Sequence, residues 1–248
     1  MDRRKRCQKN GTSKRSFKCL KMNLTKEQLA TIKAFIIKKG INYLDVQMEI
    51  LDHVASAVEE KMTANNSLSF EEALKQTHAS FGIFGFGGVE DAIVNGMSKK
   101  YNRIFWNYFL SFFGFKYILL VFLSAFLIYE AQVLVEDYFQ FLAYFLFIVI
   151  VAVAAGFVFV LKHNSYRKLL VYKRTGSYLS FFGSGFIVYN YLIGNLRYFE
   201  LINTQQIHIL SSIMLLVFLI YIITAFKMAF LGIKESKLIM QKYQLLEN

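Results

Sequence analysis

Residues 138–161 read YFQFLAYFLFIVIVAVAAGFVFVL, 24 positions without a charged side chain. A hydrocarbon layer about 30 Å thick takes roughly 20 helical residues to cross. In lipid, a single segment satisfies all its own N–H and C=O groups only as a helix. The run therefore predicts a membrane-spanning helix. Similar stretches flank it. Residues 117–135 carry Glu130 alone, 175–196 carry no charge over 22 positions, and 201–226 carry none before Lys227. The pattern predicts four spans, at about 117–135, 138–161, 175–196 and 205–227, in a transmembrane domain over 104–233 with a tail at 234–248. Residues 104–115, with Trp106 and Tyr108, read as an interfacial aromatic segment, and Lys116 sits at the boundary, where its stem can snorkel.

Upstream, the pattern changes to short amphipathic helices. Leu24-Thr25-Lys26-Glu27-Gln28-Leu29 has the form of a capping box, with Leu24 and Leu29 as its hydrophobic staple. The helix it opens puts Leu29, Ile32, Phe35 and Ile36 on one face and should stop near Gly40. A second helix is expected over about 42–62, with Leu44, Met48, Leu51, Ala55, Val58 and Met62 as its apolar stripe. Ser69-Phe70-Glu71-Glu72 is another capping box, opening a short helix with Phe70, Ala73, Leu74, Thr77 and Phe81 inward. After a glycine and aromatic turn at 82–88, a fourth helix begins near Val89 and continues past Lys99, Lys100 and Arg103 towards the membrane. Residues 22–103 thus form a small helical domain ahead of the spans, and the fold class is all-α.

Charge sets the orientation. The connection after the second span holds Lys162, Arg167, Lys168, Lys173 and Arg174; Lys99, Lys100 and Arg103 precede the first span, and Lys234, Lys237 and Lys242 follow the last. The other connections hold Glu136 and Asp137, then Arg197 and Glu200. With four spans, all basic segments fall on one side, so the positive-inside rule puts both termini and the helical domain in the cytoplasm. The net charge of +12 does not point to a nucleic-acid binder, because nine Lys/Arg against Asp2 put +8 of it in residues 1–21. That tail reads as a disordered basic arm near anionic lipid. A true start at Met22 is a second reading, and DNA binding stands third. The tail lacks the apolar core of a signal peptide. It also holds both cysteines, Cys7 and Cys19, so no disulfide framework is expected.

Chemistry-bearing residues are sparse. Glu49 and His53 share a helix face with Asp52 near, which metal binding could use. Because they lie opposite the apolar stripe, a solvated polar face accounts for them, and no metal or cofactor is expected. Residues 82–88 do not form G-x-G-x-x-G after a strand. Gly183-Ser184-Gly185 resembles an intramembrane serine-protease motif, but Phe182 stands where its extra glycine should be. Gly176, Ser180 and Ser184 form a ridge of small residues, and Ala152 with Gly156 a groove, both read as helix-packing surfaces. Glu130, Asn190 and His208 are the remaining functional candidates: intramembrane polar groups deserve that status, though snorkelling or one interhelical hydrogen bond explains each. No catalytic residue emerges and an enzyme is not expected.

The order of capped helix, EILDHVASAVEEKM helix, SFEEAL helix, FG-turn and VEDAI helix over about 24–100 resembles the HAAS-type, or permease-prefix, helical domain. It also resembles uncharacterised bacterial inner-membrane proteins that share the LDHVA helix. The usual Gly-Asp/Glu-Pro step after the third helix is replaced here at 84–88. The resemblance implies a multi-pass protein of the bacterial inner membrane, with a cytoplasmic interaction module of the kind associated with PadR-type regulators. It carries over no catalytic residue. The expected function is regulation or interaction, with the helical domain binding a cytoplasmic protein partner or a second copy and the spans bound to the lipid bilayer. A small transporter or permease component is the alternative, from a different class.

Overall fold

The structure, a computed structural model, describes residues 24–82, 85–135, 137–198 and 203–247. The basic tail over 1–21, Met22, Glu136 and Glu200 lie outside the described residues, as do Ile83 and Phe84 of the glycine turn. Among the described residues the chain is helical throughout, with no strand. Nine α-helices follow in order: α1 (Lys26–Lys38), α2 (Leu44–Ala64), α3 (Phe70–Ser80), α4 (Phe86–Ser111), α5 (Ile118–Val135), α6 (Tyr138–Leu161), α7 (Leu170–Gly176), α8 (Phe182–Tyr198) and α9 (Thr204–Glu247). Two 3₁₀ turns, Asn164–Lys168 and Ser177–Phe181, flank α7.

Helices α1–α3 and the start of α4 make a helical head. Its first helix begins as the capping box requires, with the Gln28 N–H donating to Thr25 Oγ1 at 3.2 Å and the Thr25 N–H to Gln28 Oε1 at 2.9 Å. Gly40 follows α1 with φ 91°, the left-handed conformation that glycine adopts without a Cβ clash. At Ser69 only the hydroxyl side of the box forms, accepting from the Glu72 N–H at 3.2 Å. The core is built on Ile32, Ile36, Val46, Ile50, Val54 and Val58, closed by Phe86, whose ring meets Phe35, His78 and Phe81 edge-on. The buried face of α2 holds the expected Ala55 and Val58, with Leu51 and Met62 half-buried against the same core, and extends to Val46, Ile50 and Val54, which the expected stripe omitted. The cause is that α2 is wedged between α1, α3, α4 and α7, so its buried face is wider than one stripe.

Among the described residues three helices are long and apolar enough to cross a membrane: α5, α6 and the stretch Thr204–Tyr243 of α9. Helix α6 has the bounds its charge-free run predicts, with Asp137 capping it by accepting the Phe139 N–H at 2.8 Å. Only 6% of the apolar window is buried in α5 and in α6, against 44% in α9, so α9 is the central helix and the other two present most of their phenylalanines and leucines outward. The stretch 175–196, expected as one span, is interrupted. It passes from the end of α7 through the 3₁₀ turn Ser177–Phe181 into the 17-residue α8. Glycine and serine at 176, 177, 180, 183, 184 and 185 favour the α-helix weakly, which lets the tighter turn intervene. The C-terminal segment from 234 is helical, because α9 continues through it to Glu247 as 44 residues of unbroken helix.

Close approaches lock α9 to its neighbours. A Cβ on Gly232 would fall inside the Thr175 side chain of α7, and one on Gly156 inside the Phe226 ring. Nothing lies within 4 Å of such an atom at Gly176. Gly232→Ala is thus expected to force α7 off α9 at a cost of about 1–3 kcal/mol, read as a lowered melting temperature in detergent. Gly176→Ala should leave the melting temperature unchanged or raised; an equal loss at both positions would contradict this packing.

Candidate functional site

The first N–H groups of any α-helix lack partners within it. In α7 that shortage is acute, because Leu169, Leu170 and Val171 are at most 7% exposed and water cannot supply the acceptors. The acceptor comes from the head. Asp45, in the first turn of α2, accepts the Leu170 N–H on Oδ1 and the Val171 N–H on Oδ2, both at 2.9 Å. Oδ1 also accepts the Val46 N–H at 3.2 Å. Burial pushes the Asp45 carboxyl above its ordinary range, against the pull of four backbone N–H donors, those of Leu170, Val171, Asp45 and Val46. One turn along α7, Lys173 donates to the Tyr43 hydroxyl at 2.9 Å with its ammonium 5.5 Å from the ring centre. The Leu170 side chain enters the core of the head, while Val171 joins Tyr101, Phe105 and Met228 in the next cluster. A seven-residue helix thereby ties the head to α4 and α9.

A second fastening lies beside the first. Tyr101 on α4 is fully buried, and its hydroxyl donates to Glu235 Oε2 of α9, which also receives the Lys100 ammonium at 3.1 Å. Burial and the Glu235 carboxylate push the Tyr101 phenol far above its ordinary value, so it remains a donor. Further along α9, the Lys33 ammonium of α1 sits 4.4 Å from the centre of the Tyr243 ring.

At the opposite end of α9 the ties are neutral. Gln132 of α5 is 2% exposed and donates from Nε2 to Ser212 Oγ at 2.6 Å, and Ser212 donates in turn to the His208 carbonyl at 2.8 Å. The Tyr189 hydroxyl of α8 links the Tyr138 hydroxyl of α6 and Ser211 Oγ, at 2.7 Å each. The Gln132 Oε1 has no hydrogen-bond partner among the described residues.

The residues expected to matter from sequence are scattered over these features. Gly156 meets Phe226 of α9, whereas Ala152, Ser180 and Ser184 are exposed. Ser184 returns its hydroxyl to the Phe181 carbonyl at 2.8 Å. Glu130 is exposed on α5, and Asn190 donates to the Phe186 carbonyl of its own helix at 3.0 Å. His208 is half-buried with its ring centre 6.4 Å from that of Tyr129. Glu49 and His53 lie 4.0 Å apart on a solvated face, and among the described residues no three His, Cys, Asp or Glu come together as a metal site.

Comparison with protein-family models, with curated proteins and with solved structures finds no match. The candidate site is therefore read from its geometry alone, and that geometry is a junction. It places one ionisable group of the head, Asp45, on the backbone of the connection between α6 and α8. Sequence reasoning passed over Asp45, Tyr101, Glu235 and Gln132. A usable signal was present in Lys168-Leu169-Leu170-Val171-Tyr172-Lys173, where three apolar residues interrupt the most basic connection in the chain.

Asp45→Ala leaves two buried N–H groups unpaired, at about 1–3 kcal/mol each. Amide hydrogen exchange at Leu170 and Val171 should then accelerate at least tenfold, with Asp45→Asn between the two. The sign of the pH effect follows from linkage. The carboxyl takes up a proton more readily when docked, so its contribution is fully present below the ordinary carboxyl range and is lost as pH rises through the higher docked value. Protection of those two amides, corrected for intrinsic rates, should fall over that window in the wild type and stay level in Asp45→Asn. A level wild-type profile would remove the titration from Asp45.

Proposed function

We propose that the chain is a four-span integral membrane protein whose helical head, on the cytoplasmic side with both termini, binds a protein partner and passes the state of that contact to the membrane helices. The observation that carries this reading is the pair of hydrogen bonds from Leu170 and Val171 to Asp45. A head serving only as an anchor would need a tether. Here it is latched to the short connection between two membrane helices by groups that can part and re-form. The similarity of residues 24–100 to HAAS-type domains supports the same reading. For the third crossing, the 17 residues of α8 rise about 25 Å and the five of the preceding 3₁₀ turn about 10 Å. Together they match a hydrocarbon layer of about 30 Å. The basic connection, the flank before α5 and the inner end of α9 then lie on one side, as the positive-inside rule requires.

A second reading, a small transporter or permease component, draws on the buried polar groups around Gln132, since ionisable and polar groups inside a bundle mark substrate paths in such proteins. It would gain if Gln132→Leu abolished complementation of a knockout while leaving the folded protein in the membrane.

Two experiments test the favoured reading. Reporter fusions after Lys168 and after Asn248 should report cytoplasm, and fusions near Asp137 and Thr204 should not; a cytoplasmic signal at Asp137 would overturn the topology. For the partner, the full chain is the right bait, because the core of the head includes Leu170 from outside it. A photo-crosslinker at Ile37, a large exposed apolar side chain on α1 that is 49% accessible, should capture one specific protein, with a yield changed severalfold by Asp45→Ala. No specific adduct under any growth condition would count against a binding head.

A further inference from the structure

Beside the middle of the apolar stretch of α9, at Ile213–Tyr221, lies a trough of about 560 Å³, within the roughly 300–1,000 Å³ range of sites that hold one small molecule. Phe105, Trp106 and Phe109 of α4, Phe181 of the 3₁₀ turn, and Phe218 and Tyr221 of α9 line it. Phe105 stacks on Tyr178 with ring centres 4.6 Å apart, and the Tyr221 hydroxyl is committed to the Tyr178 carbonyl at 2.7 Å. Those walls therefore present carbon. Trp106 and Phe181 are 49% and 60% exposed, so the trough opens sideways towards the surroundings of the bundle.

At its end nearest the head the lining changes. A second hollow of about 350 Å³ shares Asn102, Tyr178 and Phe181 with the first and adds Lys99 of α4, Arg174 of α7, and Ser98 and Ser177. Lys99 and Arg174 are exposed, and among the described residues neither has a carboxylate partner. Their neighbours differ: Lys100 is paired with Glu235 and Lys173 is bonded to Tyr43. An apolar trough ending in two uncommitted cations is complementary to an amphiphile with an anionic head. A free anion would make no use of the aromatic walls, and a zwitterionic lipid would bring a cation to a cationic mouth.

We infer that this trough seats one anionic phospholipid, with an acyl chain along the aromatic walls and the phosphate between Lys99 and Arg174. The cytoplasmic leaflet, where the proposed topology puts this mouth, is the anionic one. Binding itself is measured in detergent and does not depend on which side faces the cytoplasm, so its failure and the failure of the topology are separate results.

The test uses the full chain in a neutral detergent with dioleoyl phosphatidylglycerol, dioleoyl phosphatidylcholine or inorganic phosphate. Bound lipid is read by native mass spectrometry alongside the melting temperature. One phosphatidylglycerol per chain should be retained and raise the melting temperature, phosphatidylcholine should bind at least tenfold more weakly, and phosphate alone should change nothing. The double variant Lys99→Gln, Arg174→Gln should lose at least tenfold in retention with an unchanged lipid-free melting temperature, because both side chains are exposed. Ser184→Phe, which fills the trough and leaves the cations in place, should lose it too. Equal retention of phosphatidylcholine, a shift caused by phosphate alone, or full retention by the double variant would each overturn the assignment. Should the double variant not fold, the lipid comparison and Ser184→Phe decide between these outcomes.

Discussion

Two backbone N–H groups govern the arrangement. Those of Leu170 and Val171 begin a helix too short and too buried to leave its first donors to water. Asp45 is the acceptor that resolves them, and it belongs to a helix 125 residues earlier. Once its carboxylate is held there, Tyr43 comes within reach of Lys173 and Leu170 enters the core of the head. The carboxylate is itself costly to bury, which is why its affinity for a proton rises despite four N–H donors. Removing the carboxylate alone strands buried donors, whereas separating the two surfaces lets water satisfy both sides. That is the character of a latch rather than of a hydrophobic seam.

Helix α9 carries the rest. Along one axis it meets the head through Tyr243, α4 through Glu235, α7 through Gly232, α6 through Phe226, and α5 and α8 through Ser212 and Ser211. The contacts towards its C-terminal end use charge, and those towards its N-terminal end use hydroxyl and amide groups. In lipid, apolar side chains gain nothing by leaving their surroundings for one another, so interhelical hydrogen bonds and tight backbone contacts must hold the helices together. Gly156 and Gly232 supply the close contacts, and Gln132, Tyr189 and Ser211 the bonds. The outward phenylalanines of α5 and α6 are consistent with that setting, since so continuous an apolar surface suits hydrocarbon better than water.

Features written in side chains were legible beforehand. The ends of α6 fall where Asp137 and Lys162 bound a charge-free run, and Thr25 and Gln28 announced the start of α1 by their spacing. The buried face of α2 extended beyond the expected stripe because four helices pack on it and a pattern of threes and fours marks only one face. The small residues at 176, 180 and 184 had two physical meanings, close packing and weak helix propensity, and around Ser180 the second let a 3₁₀ turn form between α7 and α8. Asp45 was hidden for a deeper reason. Its partners are backbone donors, which every residue but proline has, so no residue type at 170 or 171 marks the bond.

The latch and the trough share their supports. Arg174 stands one turn along α7 from Leu170 and Val171, and Lys99 stands two residues before Tyr101 on α4. Helix α7 has seven residues, too few to bend, and Thr175 is pressed against Gly232 on its far side. A displacement that draws Leu170 and Val171 from Asp45 therefore carries Arg174 with it and changes its distance from Lys99. Coupling of this kind is reciprocal by linkage: whatever an occupant between the two cations does to the latch, the latch does to the occupant's affinity, in equal measure. The head and the trough are thus connected through one rigid turn of helix, with no longer pathway needed.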